Sequence, residues 1–362
     1  ILSFFAFMTG RGQVKYEYLT DFRTGKPVPY AGAFSKEKVV IPGRYRPGNT
    51  EMRGIWVATV KNIDFPVSGS TAAFQKNFIQ LLENLRRANF NTVIFQVRPT
   101  SDAFYPSKLN PWSRFLAGEE GKGLGSFDPL RFMIDETHKQ GMQFHAWLNP
   151  YRVASETSLS KAAYLKTLSP QNFARRRPEL VLSVPSGRNR LLILNPGEPE
   201  VVRFITDTVE EIIANYDVDA IHFDDYFYPY KEVGGADGAA FRRNNPGRLA
   251  LDDWRRANVD NAIKSVSDAI RAYNRRYRRN VEFGVSPFGI WANRKSHREG
   301  SLTDGIQSYF TQFADTRKWA RSGWIDYIVP QIYWSFDHEK AAYAALADWW
   351  AGAVRGTGTK LY

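Results

Sequence analysis

The chain has 362 residues, of which 43% are hydrophobic, so it can bury a large core as two domains or as one large α/β barrel. It contains no cysteine, which excludes disulfides, thiolate metal sites and a cysteine nucleophile. The formal net charge of +12 favours anionic polymers or membrane surfaces as neighbours, but no nucleic-acid module accompanies it, so we expect no nucleic-acid partner.

The N-terminal part of the chain shows no periodic pattern of hydrophobic side chains. The apolar run from Ile1 to Met8 is too short to span a bilayer, which needs ~20 residues, and we interpret residues 1–12 as the remnant of a signal peptide. The alternative is an apolar N-terminal strand. Residues 13–50 contain one Pro-x-Pro and two Pro-Gly sequences, which indicate an extended leader or linker.

From residue 51 onward, strand patterns alternate with helix patterns. The predicted strands cover residues 53–60, 91–98, 143–149, 220–224, 281–286 and 326–333, and the predicted helices cover 71–88, 129–141, 199–216, 251–276, 310–319 and 338–354. These six strand–helix units are more than one mononucleotide-binding half of a doubly wound fold contains. No Gly-x-Gly-x-x-Gly sequence follows the first strand. The favoured fold is an α/β protein with a (β/α)8 TIM barrel over residues 51–362, and a doubly wound sheet is the second choice. Since residues 360–362 resemble only the start of a further strand, we expect the barrel to be truncated in strand seven and the chain to be a fragment at both ends.

The inner face of the predicted barrel is unusually polar. Alternation along the strands assigns to this face Trp56, Gln96, Arg98, His145, Trp147, Asn149, His222, Asp224, Ser286, Gln331 and Tyr333. Barrel interiors are normally filled by Val, Ile and Leu, so these side chains form either an internal hydrogen-bond network or a pocket. Most of them lie late in their strands, where barrel enzymes place their sites, and this position favours the pocket.

Aromatic side chains cluster at the same strand ends, and sugar rings present apolar faces on which such side chains can stack. The candidates for stacking are Trp56, Trp147, Tyr226, Tyr228, Trp291, Tyr333 and Trp334. Asn149, Arg152 and Gln331 are candidates for hydrogen bonds to sugar hydroxyls. Gln96, Arg98 and Ser286 complete the predicted substrate-binding set.

Glycoside hydrolysis usually requires one protonated and one ionised carboxyl group. Asp224 is the first catalytic candidate because it combines an inner-face position with a strand end, and Asp225 is the second. Neighbouring strand residues point apart, so we do not expect Asp224 and Asp225 to be the acid–base pair themselves. Asp225 could instead be a loop cap or an ion-pair partner, and we expect the second carboxylate beyond Tyr362. His145 and His222 could bind a metal with Asp224, but core histidines are the simpler interpretation, and we expect neither metal nor cofactor.

Six sequence runs, taken in order, resemble those of the bacterial glycosyl-hydrolase-like family 10, which includes divisome-localised glycosyl hydrolases and related lipoproteins. The runs are Met52-Arg53-Gly54-Ile55-Trp56-Val57-Ala58-Thr59, Asn91-Thr92-Val93-Ile94-Phe95-Gln96-Val97-Arg98-Pro99, His145-Ala146-Trp147-Leu148-Asn149-Pro150-Tyr151-Arg152, Phe223-Asp224-Asp225-Tyr226-Phe227-Tyr228, Phe283-Gly284-Val285-Ser286-Pro287 and Pro330-Gln331-Ile332-Tyr333-Trp334. The resemblance covers residues 51–362.

The resemblance implies a TIM-barrel glycosidase that is exported, is often anchored by an N-terminal lipid, and acts on peptidoglycan glycan strands stripped of stem peptides. It also implies that the family's Asp-Asp pair falls on Asp224 and Asp225, and its pocket Asn and Arg on Asn149 and Arg152. The sequence has no lipobox cysteine, so a membrane anchor stays open. It also lacks the Asn-Glu pair of many other barrel glycosidases, so their retaining mechanism is not carried over.

The leading hypothesis is therefore an extracytoplasmic glycosidase of the periplasm or cell envelope whose substrate is a glycan polymer. A non-catalytic glycan-binding barrel is the alternative. A structural scaffold is the third hypothesis, and it predicts that substitution of Trp147 or Tyr333 changes stability without changing glycan affinity.

Overall fold

The computed structural model describes residues 15–44 and 51–362. Its strands are β1 (Tyr16–Tyr18), β2 (Val40–Pro42), β3 (Gly54–Val57), β4 (Thr92–Arg98), β5 (Gln143–Leu148), β6 (Arg152–Thr157), β7 (Val181–Ser186), β8 (Asn189–Leu194), β9 (Ala220–Phe223), β10 (Glu282–Val285), β11 (Tyr327–Ile328) and β12 (Lys360–Leu361). Its α-helices are α1 (Thr71–Arg87), α2 (Arg114–Ala117), α3 (Pro129–Lys139), α4 (Lys161–Thr167), α5 (Phe173–Arg176), α6 (Pro199–Asn215), α7 (Gly238–Arg243), α8 (Leu251–Tyr277), α9 (Ser308–Thr311), α10 (Thr316–Arg321) and α11 (Tyr343–Val354).

A seven-stranded parallel sheet forms the centre of the fold. Its order is β3-β4-β5-β9-β10-β11-β12, so the strands follow one another across the sheet in chain order. A doubly wound sheet would reverse direction at a switch point, and this sheet does not. The predicted barrel-type α/β fold is confirmed, and residues 360–361 pair with β11 as the seventh strand.

The sheet is strongly curved. Trp56 on β3 donates a hydrogen bond from Nε1 to Nε2 of His222 on β9 at 3.1 Å, although two strands lie between them. In a flat sheet three strand spacings would separate these positions by about 14 Å. The side chains meet because the sheet curls around a common interior.

Helices pack on the outer face of this sheet. The hydroxyl of Ser70 caps α1 by accepting from the backbone N–H of Ala73 at 3.2 Å. The buried side chains of α1 recur at helical spacing, and Phe78 contacts Phe95 of β4 with ring centroids 6.0 Å apart. The large apolar core therefore lies between helices and sheet and leaves the interior free for polar residues.

One glycine makes room inside the curve. A Cβ atom on Gly284 of β10 would lie 1.9 Å from the ring of Tyr327 on β11. Only a residue without a side chain at this position allows the tyrosine ring to enter the interior.

The excursion between β5 and α6 is partly sheet. β6, β8 and β7 form an antiparallel sheet in that order, and its first strand begins at Arg152. This sheet was not predicted, although it carries one of the predicted site residues.

Three predicted boundaries after β10 were wrong. The helix expected at 310–319 is divided into α9 and α10, because the backbone of Phe313 takes a positive φ of 51° that no helix continues through. The strand expected at 326–333 is only β11, and the helix expected from residue 338 begins at Tyr343. Pro330, which has no backbone N–H, follows two residues after the end of β11.

The leader is folded over residues 15–44. β1 and β2 pair as an antiparallel ribbon, and Val28 and Val39 pack against Ala344 of α11. The N–H of Ala33 donates to the carbonyl oxygen of Glu339 at 3.1 Å, and Gly32 lies so close to this segment before α11 that a Cβ would approach the same oxygen to 2.5 Å. The predicted signal remnant, residues 1–12, lies outside the described residues. Within 15–44 and 51–362, no helix is both long and apolar enough to cross a bilayer.

Candidate active site

Asp224 and Asp225 lie directly after β9, at the edge of the sheet where its strands end. They are only 5% and 4% exposed. Asp224 Oδ2 accepts a hydrogen bond from Asn149 Nδ2 at 2.5 Å, and Asp224 Oδ1 accepts from the backbone N–H of Tyr226 at 3.0 Å. Arg152 Nη2 lies 3.8 Å from Asp224 Oδ2. All three of these groups are donors.

A relay of two side-chain amides fixes the direction of the Asn149 hydrogen bond. The backbone N–H groups of Thr59 and Val60 donate to Gln96 Oε1 at 2.9 and 2.8 Å. Gln96 Nε2 then donates to Asn149 Oδ1 at 2.5 Å, which leaves the Asn149 NH2 group for Asp224. Both amides are completely buried.

Burial and, after it, the charge of neighbouring Asp224 together raise the pKa of Asp225 to about 7. Hydrogen bonds from its own backbone and from Gln331, and the charge of Arg152, oppose this shift. A carboxyl group with such a pKa keeps its proton in about half of the molecules near neutral pH.

Burial also raises the pKa of Asp224, but Arg152, the Tyr226 N–H and Asn149 oppose the shift. The indole of Trp147 also favours the ionised form, although its N–H makes no hydrogen bond of ordinary geometry. The two acids were expected to point apart by strand alternation. Strand alternation does not extend to them, because β9 ends at Phe223, and the charge of Asp224 raises the pKa of Asp225. That they point apart stays a prediction.

Arg152 is held in place from two sides. It begins β6, and its Nη1 donates to the carbonyl oxygen of Pro99 at 3.3 Å. Its guanidinium carbon lies 4.3 Å from the ring centroid of Tyr226, within the range of a cation–π contact. Arg152 therefore connects the carboxyl groups to an aromatic rim.

The rim is a chain of edge-to-face aromatic contacts across three loops. Tyr226 contacts Tyr230 at 5.7 Å, Tyr230 contacts Phe288 at 5.8 Å, and Phe288 contacts Trp334 at 5.6 Å between ring centroids. Tyr226 is 41% exposed and Tyr333 is 84% exposed, so both offer free ring faces. Tyr230 and Phe288 were not predicted, since loop residues follow no period that could have indicated them.

A comparison with known protein families identifies the family of this chain. The sequence pattern of the family described as Glycosyl hydrolase-like 10 matches residues 51–362. The chain belongs to this family.

Curated relatives agree with the family assignment. The chain is 43% identical over 319 residues to Glycosyl hydrolase YngK of Bacillus subtilis (strain 168), covering 86% of this chain and 60% of that protein. It is 40% identical over 345 residues to Glycosyl hydrolase DigH of Escherichia coli (strain K12), covering 90% of this chain and 77% of that protein. A solved structure, alpha-L-fucosidase isoenzyme 2 from Paenibacillus thiaminolyticus, aligns with 14% identity and a TM-score of 0.46 over 78% of this chain and 40% of that one.

In this glycosyl hydrolase-like barrel, a second polar group fills the interior, and we call it the histidine network. It consists of Trp56, His145, His222, Ser286 and Tyr327. His222 Nδ1 and His145 Nδ1 lie 2.9 and 2.8 Å from the Tyr327 hydroxyl, and Ser286 Oγ lies 2.9 Å from His222 Nε2.

The tautomers in this network follow from the Trp56 indole, which can only donate. His222 Nε2 must accept, so His222 Nδ1 carries the hydrogen and donates to Tyr327, whose hydroxyl in turn donates to His145 Nδ1. Burial lowers the pKa of His145 to about 4 and that of His222 well below its ordinary value, so both rings are neutral. Within residues 15–44 and 51–362, no group of three or more His, Cys, Asp or Glu side chains is arranged to hold a metal ion.

The structure does not bring all predicted substrate-binding residues to the carboxyl pair. Arg98 faces the helix layer because the pairing of β4 with β5 shifts between Gln96 and Arg98, which reverses the side of the strand. Its guanidinium lies 5.3 Å from the ring centroid of Phe204 on α6 and donates to the carbonyl oxygen of Asn149 at 2.6 Å. Arg98 therefore supports the end of β5 from outside.

Two predicted aromatic residues lie in other packing clusters. Tyr228 is 0% exposed, and its hydroxyl donates to Asp237 Oδ2 at 3.2 Å. Trp291 is buried and donates to Asp315 Oδ1 at 3.0 Å. Both follow strand ends in sequence, but loop geometry turns their rings away from the pair.

Trp56, Ser286 and Asn149 lie in the interior, but protein partners occupy their polar groups. The first two belong to the histidine network, and both ends of the Asn149 amide are engaged by Gln96 and Asp224. Trp147 is buried between the two networks, while Gln331 donates to the carbonyl oxygen of Ser286 at 2.8 Å. Gln312, which was not predicted, donates to the carbonyl oxygen of Asp225 at 2.5 Å from a distant helix end.

Proposed function

We propose that this protein is a glycoside hydrolase in which Asp225 is the general acid and Asp224 its ionised partner. The observation that supports this most strongly is the arrangement of two adjacent buried carboxyl groups, one of which is surrounded by donors. Sites that push two carboxyl groups toward different protonation states supply one acid and one base.

In the proposed reaction, the proton of Asp225 passes to the glycosidic oxygen as the bond to the anomeric carbon breaks. The ionised Asp224 stabilises the positive charge that develops on the sugar ring, and Arg152 and Asn149 hold that carboxylate in place. A water molecule then forms a bond from its oxygen to the anomeric carbon and gives one proton to the Asp225 carboxylate, which restores the acid. The exposed rings of Tyr226 and Tyr333 provide faces on which sugars can stack.

We propose peptidoglycan glycan strands without stem peptides as the substrate. Such strands carry a free carboxylate on every muramic acid, and the formal net charge of +12 suits a polyanion. The resemblance of the six sequence runs supports the same substrate. We also propose export to the periplasm or cell envelope, which the apolar residues Ile1 to Met8 support and which cell fractionation with an antibody tests.

The test compares release of soluble sugars from amidase-treated glycan by the wild-type protein, Asp224→Asn and Asp225→Asn. We expect each substitution to slow release by at least about 100-fold, since general acid catalysis contributes on the order of 10²–10⁴-fold. Asp304→Asn is the control, because Asp304 lies in a loop after β10 and pairs with Lys295 at 2.6 Å. It should leave the rate within about two-fold, as expected for a surface ion pair.

Two outcomes would contradict the proposal. Full activity of both carboxyl variants would show that the pair is not catalytic. Binding of glycan by the wild-type protein without any release would instead support the non-catalytic barrel.

A further inference from the structure

The amide relay from Thr59 to Asp224 has only one possible direction. Backbone N–H groups cannot accept, so the Gln96 atom that faces Thr59 and Val60 must be its oxygen. The Gln96 NH2 group consequently faces Asn149 Oδ1, and the Asn149 NH2 group faces Asp224. The backbone N–H groups of Thr59 and Val60 thus fix the orientation of both side-chain amides. As a result, Asn149 faces Asp224 with its N–H donor and not with its oxygen.

The relay is isolated from solvent. Gln96 and Asn149 are both 0% exposed, and Thr59 is also buried, so bulk solvent does not reach either amide. The Thr59 hydroxyl donates to the carbonyl oxygen of Gln96 at 2.7 Å and ties the loop after β3 to β4. The start of the relay is therefore fixed by backbone contacts on two neighbouring strands.

We propose that Gln96 is a positioning residue that makes Asn149 a permanent donor to Asp224 and thereby leaves the catalytic proton on Asp225. This inference rests on the proposed function for its catalytic meaning, but not for its effect on Asp224. Without Gln96, the Asn149 amide is free to rotate and present its oxygen to the carboxylate. A carboxylate that faces a lone pair is destabilised relative to its protonated form.

The groups that face the carboxyl pair from the surrounding elements are few. Arg152 approaches from β6, Tyr226 from the loop after β9, and Tyr333 from the loop after β11. Arg152 is the charged group among them, and neither tyrosine contacts Gln96 or Asn149 through a described hydrogen bond. Substitution of Gln96 therefore changes the hydrogen bonding of Asp224 without removing its cation.

The experiment measures the titration of Asp224 by carbon-13 NMR of aspartate-labelled full-length chain, with Asp224→Asn used to assign its signal. Gln96→Glu keeps the side-chain shape but cannot donate when ionised, and Gln96→Met removes the donor without adding charge. We expect both variants to raise the pKa of Asp224 by about one unit. Gln312→Met is the matched control, because Gln312 is similarly buried and its side chain donates to the backbone carbonyl oxygen of Asp225 rather than to a carboxylate.

The rate profile provides an independent measurement. Raising the pKa of Asp224 moves the acid limb of kcat/KM to higher pH by the same amount and narrows the bell-shaped profile. A merely structural role would lower the melting temperature of both Gln96 variants and leave the titration of Asp224 unchanged, and this result would overturn the inference.

Failure of the proposed function is recognised separately. It would appear as absent sugar release by the wild-type protein, whereas the NMR titration decides the role of Gln96 without any substrate. If Gln96→Met fails to fold, the isosteric Gln96→Glu variant still gives the measurement.

Discussion

The barrel interior contains two polar networks that differ in charge. The histidine network joins Trp56, His145, His222, Ser286 and Tyr327 through donor and acceptor pairs, and both of its titratable rings are neutral. The carboxyl network, defined as Gln96, Asn149, Arg152, Asp224 and Asp225, places two acids beside one arginine.

The difference shows how the same curved sheet supports stability and chemistry at neighbouring positions. A neutral network in which donors meet acceptors resists solvent and fixes side-chain positions. The carboxyl network has one more acid than it has cations. This excess negative charge raises the pKa of one carboxyl group, so that it can hold and donate a proton as an acid catalyst requires. We therefore expect substitutions in the histidine network to affect stability and those in the carboxyl network to affect rate.

The largest effect is expected for Gly284→Ala. The added Cβ would lie 1.9 Å from the Tyr327 ring, which would displace the centre of the histidine network. Overpacking of this kind typically costs 1–3 kcal/mol, and we expect a loss of about 3 kcal/mol or more in the free energy of unfolding. Urea denaturation measures it, and an unchanged midpoint would show that the ring can move aside.

A smaller loss is expected for Tyr327→Phe. This change keeps the ring but leaves Nδ1 of His145 and Nδ1 of His222 without a partner. Each buried unsatisfied group costs about 1–3 kcal/mol, so unfolding should require at least about 2 kcal/mol less. A melting temperature equal to that of the wild-type protein would contradict the idea that the hydroxyl joins the two rings.

The smallest effect is expected for Asp225→Asn. It is a gain in stability relative to the wild-type protein rather than a loss, and it depends on pH. The pKa of Asp225 is raised from 3.8 to about 7, so the folded protein keeps a proton that the unfolded chain releases in this range. The stability contributed by this group is full below about pH 4 and is lost as the pH rises through about 7. Asp225→Asn does not titrate, so its stability relative to the wild-type protein should increase between about pH 6 and about pH 8, by on the order of 1 kcal/mol.

Comparison with the wild-type protein at each pH cancels the contribution of the histidines, whose lowered pKa values destabilise the fold as the pH falls. Thermal melts at the two pH values give the measurement. A relative stability of Asp225→Asn that stays constant with pH would show that Asp225 titrates normally.

Sequence periodicity predicted the interior where strands are regular. It correctly assigned Gln96, His145, Trp147 and His222 to one face, because a strand alternates sides at every residue. The same rule applied to β11 would have added Tyr327. It failed for Arg98, because the shift in pairing between β4 and β5 places the Arg98 side chain on the other side of the sheet. No residue type in the sequence indicates such a shift.

The rim could not be predicted in this way. Tyr228 and Trp291 were expected at the site and lie elsewhere, whereas Tyr230 and Phe288 line it without having been expected. Loops carry no period, so their side-chain directions depend on contacts between segments distant in sequence. The assignment of Asp224 and Asp225 as catalytic stays a prediction.

The most direct test compares Asp224→Asn and Tyr327→Phe in one experiment that records both the rate of sugar release and the melting temperature. We expect Asp224→Asn to release sugars at least about 100-fold more slowly, without a lower melting temperature. We expect Tyr327→Phe to melt at a lower temperature and to keep a rate within about three-fold of the wild-type rate at a temperature where it is folded. The reverse pattern, a catalytic tyrosine and a structural aspartate, would contradict the division of the interior into a stabilising and a reactive network.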